Sequence, residues 1–279
     1  MRRAKRSRTA SPPADTWLTW AARFGYAACG IVYIAIGVAA GAVALGLAEE
    51  PTGSHGVMLF LLRLPFGPLV LAGLGIGLVG YAALNFAGAI SDPERRGVTP
   101  GGLVTRAVDI LTGALYIALA MAALALVVDP MHDGTNTIVA WAASVLALPF
   151  GSAILGLIGA ALIVGGGYLF YRASEEKFGE MLDKRSLTSK TRAAIALAAR
   201  AGTAARGLIF LICGLFVIRA ATSAAPDRVG DVGDALAMIG RATFGPLLLA
   251  VVGAGFIAYG GYQLAKARYQ RIANRVQTQ

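Results

Sequence analysis

Six stretches of this sequence run for close to twenty residues with almost no charge. The solvent that suits such a stretch is the hydrocarbon core of a bilayer, about 30 Å thick and crossed by about 20 helical residues. The runs are 25–47, 68–90, 108–128 (interrupted by Asp109), 152–171, 207–218 with its flanks, and 246–265. The fifth is the shortest, held between Arg206 and Arg219, whose side chains can snorkel to an interface. Hydrophobic residues make up 57% of the chain and charged residues 14%, where a soluble domain carries roughly 25% charged. The 36 glycines fall inside the apolar runs, which fits close helix contact in lipid and excludes a soluble glycine-rich protein. The expected class is an all-α integral membrane protein with six transmembrane helices.

The net charge of +10 sits in short segments beside the apolar runs rather than in one stripe, so it reads as a topology signal and excludes nucleic acid as a partner. Segments 1–23, 91–106, 171–206 and 266–279 hold 21 Lys and Arg, and the alternate loops hold only Arg63, Arg219, Arg228 and Arg241. The positive-inside rule then places both termini in the cytoplasm. Trp17 and Trp20 precede the first span as headgroup-level anchors. The basic start followed by an apolar run also fits a secretory signal with Ala42-Val-Ala44 as its cleavage site. That run is long for a signal core and recurs twice downstream, so a retained first span is expected.

Self-comparison finds a threefold repeat. Arg23, Arg106 and Arg200 are each followed by glycine seven residues on (Gly30, Gly113, Gly207) and by an aromatic ten residues on (Tyr33, Tyr116, Phe210). The second span of each unit follows a shared phrase, Leu64-Pro-Phe-Gly67, Leu148-Pro-Phe-Gly151 and Ala242-Thr-Phe-Gly245, with another glycine eight residues later at Gly75, Gly159 and Gly253. The three arginines stand where they can snorkel to lipid phosphates. The three glycines two turns deeper allow a neighbouring helix close. Stretches 57–64, 138–148 and 235–244 are too short to span and are expected at the outer interface or re-entering the protein. Each unit holds two spans, so all three insert in the same orientation, and a pseudo-threefold axis along the membrane normal is the expected relation, unlike the inverted repeats of many transporters. The expected organisation is a basic tail and interfacial segment at 1–22, units at 23–92, 106–173 and 200–267, a cytoplasmic charged linker at 174–199, and a basic tail at 268–279.

The opening Arg23-Phe-Gly-Tyr-Ala-Ala-Cys-Gly30, the Pro-Phe-Gly phrase and Gly80-Tyr81 resemble the bacterial membrane family known as domain of unknown function 1206. The likeness covers nearly the whole chain, with departures in the second unit (Val108-Asp109 for Gly25-Tyr26) and the third (no Pro in its phrase, Phe210 for Tyr). It implies three tandem two-helix domains in a bacterial inner membrane and supplies no activity, cofactor or catalytic residue.

Candidate chemistry is sparse. Asp109, about one turn into the third span, is costly there unless paired or wet. Arg106 three residues earlier and Arg206 at similar depth are its candidate partners, in a structural ion pair or a relay. Asn85 is placed to hydrogen-bond between helices. Gly75-Ile-Gly-Leu-Val-Gly80 has dinucleotide-loop spacing but no strand or βαβ unit around it, and reads as a packing motif, as does the Gly73/Gly77 pair. Cys29 and Cys213 lie in apolar runs as small buried hydrophobes. His55 and His132 lack metal-site spacing. Asp129, Asp133, Asp227, Asp231 and Asp234 make the outer loops acidic. Tyr81, Tyr168, Tyr259 and Tyr262 read as an aromatic belt. No nucleophile–base or paired-carboxylate pattern points to an enzyme, and no cofactor motif is present. The expectation is a non-enzymatic accessory subunit or membrane organiser, with lipids and a larger complex or homo-oligomer as partners. The alternative is a small transporter or channel with a path along the threefold axis.

Overall fold

The computed structural model describes residues 14–91, 99–130, 134–174 and 189–269. Among them the chain is helical throughout: α1 (Ala14–Ala44), α2 (Ser54–Leu62), α3 (Gly67–Ser91), α4 (Pro100–Val128), α5 (Gly134–Leu146), α6 (Gly151–Ser174), α7 (Ser189–Ser223), α8 (Val232–Gly240) and α9 (Gly245–Tyr269), with a 3-10 turn at Pro226–Arg228. Six of these, α1, α3, α4, α6, α7 and α9, are long and apolar enough to cross a membrane. The helices begin before the units read from the sequence, α1 at Ala14 and α4 at Pro100, and the fifth span differs most. The fifth span is not short: α7 runs 35 residues, straight through Arg206 and Arg219. It begins at Ser189, inside the stretch that reads as a linker, because Ala-rich 193–199 continues the helix on the near side of Arg200.

The short helices α2, α5 and α8 join the two spans of each unit, so all three lie on one side of the bundle. The shared Phe-Gly phrase is explained by the turn out of each of them. Gly67, Gly151 and Gly245 donate backbone bonds to Leu64, Leu148 and Ala242 (2.8, 2.9 and 2.8 Å). A Cβ on any of the three would overlap the carbonyl oxygen of Leu62, Val145 or Gly240 at the end of the preceding short helix. Only glycine lets the chain reverse that tightly into the next span. Phe66 and Phe150 hold left-handed backbone at φ 61° and 63°, and their side chains, like that of Phe244, project outward.

The spans contact one another in a closed order. The second span of each unit lies most extensively along the first span of the next: α3 on α4, α6 on α7, and α9 back on α1. Two of these antiparallel seams are built on glycine pairs. A Cβ on Gly30 would meet the Gly260 carbonyl at 2.9 Å, and one on Gly37 the Gly253 carbonyl at 2.6 Å. Likewise a Cβ on Gly207 would meet the Gly166 carbonyl at 2.9 Å, and one on Gly214 the Gly159 carbonyl at 2.9 Å. Helix backbones in van der Waals contact supply the dispersion that holds helices together in lipid. The α3–α4 seam departs. Ala82 and Ala120 occupy two of the four glycine places, and the Phe86 ring fills the space beside Gly113. The glycines of the 75–80 stretch divide between neighbours: Gly75 faces Leu124 and Ala120 of α4, and Gly77 faces Ala28 and Phe24 of α1.

Within units the two spans cross at a small-against-large contact. Gly25 meets the backbone of Tyr81, and Gly202 sits beside Tyr259. The middle unit exchanges the partners, with Val108 against Gly165. Its spans, α4 and α6, share the slightest contact of the three units.

Candidate functional site

Six residues after each repeated arginine, the aligned first spans carry Cys29, Thr112 and Arg206. All three are buried, at 0%, 4% and 7% exposed. Arg206 therefore does not snorkel. Its Nη1 donates to the Tyr259 hydroxyl at 2.6 Å, and its guanidinium carbon lies 5.0 Å from the Tyr259 ring centre, 5.5 Å from Phe210 and 5.7 Å from Tyr33. Among the described residues no carboxylate contacts it.

The rest of the centre is a chain of polar contacts. Gln263, fully buried, donates through Nε2 to the Tyr81 hydroxyl (2.7 Å) and the Cys29 sulfur (3.3 Å). Cys29 Sγ lies 3.2 Å from the Tyr116 hydroxyl, which donates to Tyr33 at 3.1 Å. The ring face of Tyr33 meets Arg206, so α1, α3, α4, α7 and α9 all contribute to one polar centre. Edge-to-face contacts fix the rings, Tyr81 on Tyr116 at 4.6 Å, Tyr33 on Tyr259 at 4.8 Å and Tyr26 on Tyr81 at 5.6 Å. Lys266 lies 4.2 Å from the Tyr26 ring centre, closer to the end of α9. Cys29 and Tyr33 stand seven and eleven residues into the span Ala22–Ala44, which at about 1.5 Å per residue puts the centre about 10–16 Å below one interface.

An arginine in the middle of a span costs about 2.5–3.5 kcal/mol on insertion scales. Each ring face returns about 0.5–2 kcal/mol, and a hydrogen bond to a charged donor about 1.5–3 kcal/mol. The aromatic box is thus enough to hold Arg206 ionised inside the bundle, and it leaves the positive charge uncancelled. Two buried atoms here have no hydrogen-bond partner among the described residues, Arg206 Nε and Gln263 Oε1.

The residues singled out from the sequence fall elsewhere. Asp109 does not meet Arg206; its carboxylate lies against Gly88 of α3, where a Cβ would be 3.5 Å from Oδ2. Asn85 bonds the Tyr81 carbonyl of its own helix (2.8 Å) rather than a neighbouring helix. Arg23, Arg106 and Arg200 are half-buried at the starts of their spans, Arg23 with its guanidinium 5.8 Å from the Trp20 ring. Gly30, Gly113 and Gly207 lie on the α1–α9, α3–α4 and α6–α7 seams. The aromatic belt is corrected for three of its four members: Tyr81, Tyr259 and Tyr262 are buried, while Tyr168 pairs with Thr105 across the second unit. Cys29 is buried as expected but engaged by two polar partners. His132 and Asp133 lie outside the described residues.

On the side of the short helices, Asp231 and Asp234 form a reciprocal capping box at the start of α8. Burial pushes the Asp231 carboxyl above its ordinary range, and the Asp234 charge adds to that, against stabilising backbone bonds and the nearby His55. Among the described residues, His, Cys, Asp and Glu form no group of three or more that could hold a metal ion.

The family model described as Domain of Unknown Function (DUF1206) matches residues 24–92 and 201–270. The uncharacterised protein YxxB of Bacillus subtilis (strain 168) is 35% identical over 256 residues, 92% of each chain. This chain belongs to the DUF1206 family. The two matched regions are its first and third units, the two that bring Tyr81 and Tyr259 to the centre; the unmatched middle unit has Gly165 at that place. No solved structure matches this family member.

Proposed function

We propose that this DUF1206 protein is a non-enzymatic, multi-pass protein of the bacterial inner membrane, with both tails in the cytoplasm, and that it binds and moves a small polar solute at the centre of its helix ring. The three units are related about an axis along the membrane normal, with the cyclic order of the seams as support. The observation that carries the transport reading is Arg206, buried and ionised in a tyrosine box at intermediate depth. An ionisable side chain facing a bundle interior is by default a candidate for a solute or ion path. The accessory-subunit reading rested on a sequence without a buried charged cluster, and Arg206 with its tyrosines and Gln263 removes that ground.

Cys29 provides the test, since it is a native thiol at the centre. In a Cys213→Ser background, sealed vesicles of each orientation are treated with a membrane-impermeant methanethiosulfonate. A centre that opens to water during a transport cycle is modified at Cys29 from at least one face. If neither face gives modification over a time in which the detergent-unfolded chain reacts fully, the transport reading is wrong. A protein partner retained in stoichiometric amount through mild-detergent purification would then restore the accessory reading.

A further inference from the structure

We infer that the solute is an oxyanion carrying a hydroxyl close to its charged group, such as a hydroxycarboxylate or a glycerol phosphate, free in water or as a lipid headgroup; this rests on the transport reading above. Two features of the centre specify that chemistry independently. The first is charge. Arg206 is 7% exposed, has no carboxylate in contact among the described residues, and spends one N–H on Tyr259 while its Nε has no hydrogen-bond partner. A buried guanidinium held by ring faces and one hydroxyl, its charge uncancelled, favours an anion, and its fork of donors matches carboxylate and phosphate oxygens. A cationic solute would meet like charge in a medium of low dielectric.

The second feature is an acceptor. Gln263 is fully buried and both its hydrogen bonds leave from Nε2, to Tyr81 and Cys29, so Oε1 has no donor among the described residues. Leaving a buried carbonyl unmet is costly, and a site built around one discriminates strongly in favour of a ligand that brings a donor. A chain of contacts connects the two groups: Gln263 bonds Cys29, Cys29 contacts Tyr116, Tyr116 bonds Tyr33, and the Tyr33 ring faces Arg206. A plain anion such as acetate satisfies Arg206 and leaves Gln263 unmet. Glycerol does the reverse.

The test is thermal stabilisation of the purified full chain in an uncharged detergent. Lactate, glycerol 3-phosphate and phosphatidylglycerol are compared with propionate, glycerol, choline and phosphatidylcholine at equal concentration. The expected result is a saturable upward shift of the unfolding temperature with one or more of the first three, half-saturating roughly tenfold or more below propionate. A response to phosphatidylglycerol alone assigns the headgroup as the source, and a response to lactate or glycerol 3-phosphate assigns a solute. Arg206→Gln abolishes the shift. Gln263→Leu keeps a response to propionate and loses the preference for lactate over it, which guards against a variant that merely fails to fold. Equal shifts with Arg206→Gln, no shift with any of the three, or a preference for choline or glycerol overturns the assignment. Because Cys29 modification is measured separately, an accessible centre without anion stabilisation would sink the oxyanion and leave the transport reading intact.

Discussion

Gly260 and Gly261 are neighbours on α9, and replacing each with alanine asks what the α1–α9 seam contributes. A Cβ at Gly260 would stand 2.5 Å from the Gly30 carbonyl oxygen and 2.6 Å from Ile34 Cγ1, while one at Gly261 meets nothing within 4 Å. Ordinary carbon contacts lie near 3.5–4.0 Å, so Gly260→Ala requires the helices to separate by about 1 Å or the Gly30 carbonyl to tilt. Overfilling a close contact costs about 1–3 kcal/mol. The same substitution returns about 0.5–1 kcal/mol by removing glycine from a helix interior, leaving Gly260→Ala destabilised by about 0–2.5 kcal/mol net. Gly261→Ala has only the favourable contribution and is expected to be neutral or to stabilise by up to about 1 kcal/mol. The assay is reversible unfolding in mixed micelles, followed by the circular dichroism of both variants against wild type. Equal behaviour of the two variants would refute the reasoning, since it would mean that the backbone contact at Gly30 contributes nothing to the fold.

Tyr116→Phe removes two hydrogen bonds worth about 0.6 kcal/mol each in a membrane protein while keeping the ring against Tyr81. A loss near 1 kcal/mol in the same unfolding assay is expected, tolerable because Phe210 already occupies that place in the third unit. Asp231→Asn removes a pH dependence. Since Asp231 holds its proton more tightly folded than unfolded, wild-type stability falls as pH rises from near 4, the ordinary carboxylate value, up through the raised folded value. Subtracting the titration of the Asn variant, still able to cap α8, from that of wild type should leave this fall and nothing else across that window. Asp109→Asn should lower stability in detergent and leave Cys29 modification unchanged; a change in Cys29 access without a change in stability would make Asp109 part of the path.

The spans and the threefold repeat were legible because uncharged length and recurring Arg, Gly and Phe-Gly positions are read along the chain. Rotation about each helix axis was not. Tyr81 and Tyr259 have residue numbers that fix their depth near an interface, and depth alone makes them belt residues; that they face inward follows from Gly25 and Gly202, which take the backbone of the partner span at those heights. In lipid both faces of a span are apolar, so periodicity gives no bearing on which side is the interior. One signal was present in the aligned units, in the column Cys29, Thr112, Arg206, where a span that should be uniformly apolar holds a polarisable, a hydroxyl and a charged residue. Gln263, which aligns with Asn85 and Leu169 in the second spans, carried the same signal. Arg206 escaped that reading because snorkelling offers an easier account of an arginine near a helix end than a box of tyrosines contributed by two other helices.

The pairing of α9 with α1 also bears on how the protein is made. In two of the three seams the glycine faces mate across neighbouring units, and the mate of the first span follows the other five spans out of the ribosome. Until α9 inserts, Gly30 and Gly37 present a bare backbone strip to lipid, and a nascent chain of two units has an open end at α1 and another at α6. Closure therefore waits on a contact more than 200 residues apart in sequence, the sort that forms late and slowly. A chain truncated before α9 would offer those open strips to any complete copy nearby, so that shortened products would be expected to accumulate as swapped oligomers rather than as smaller bundles.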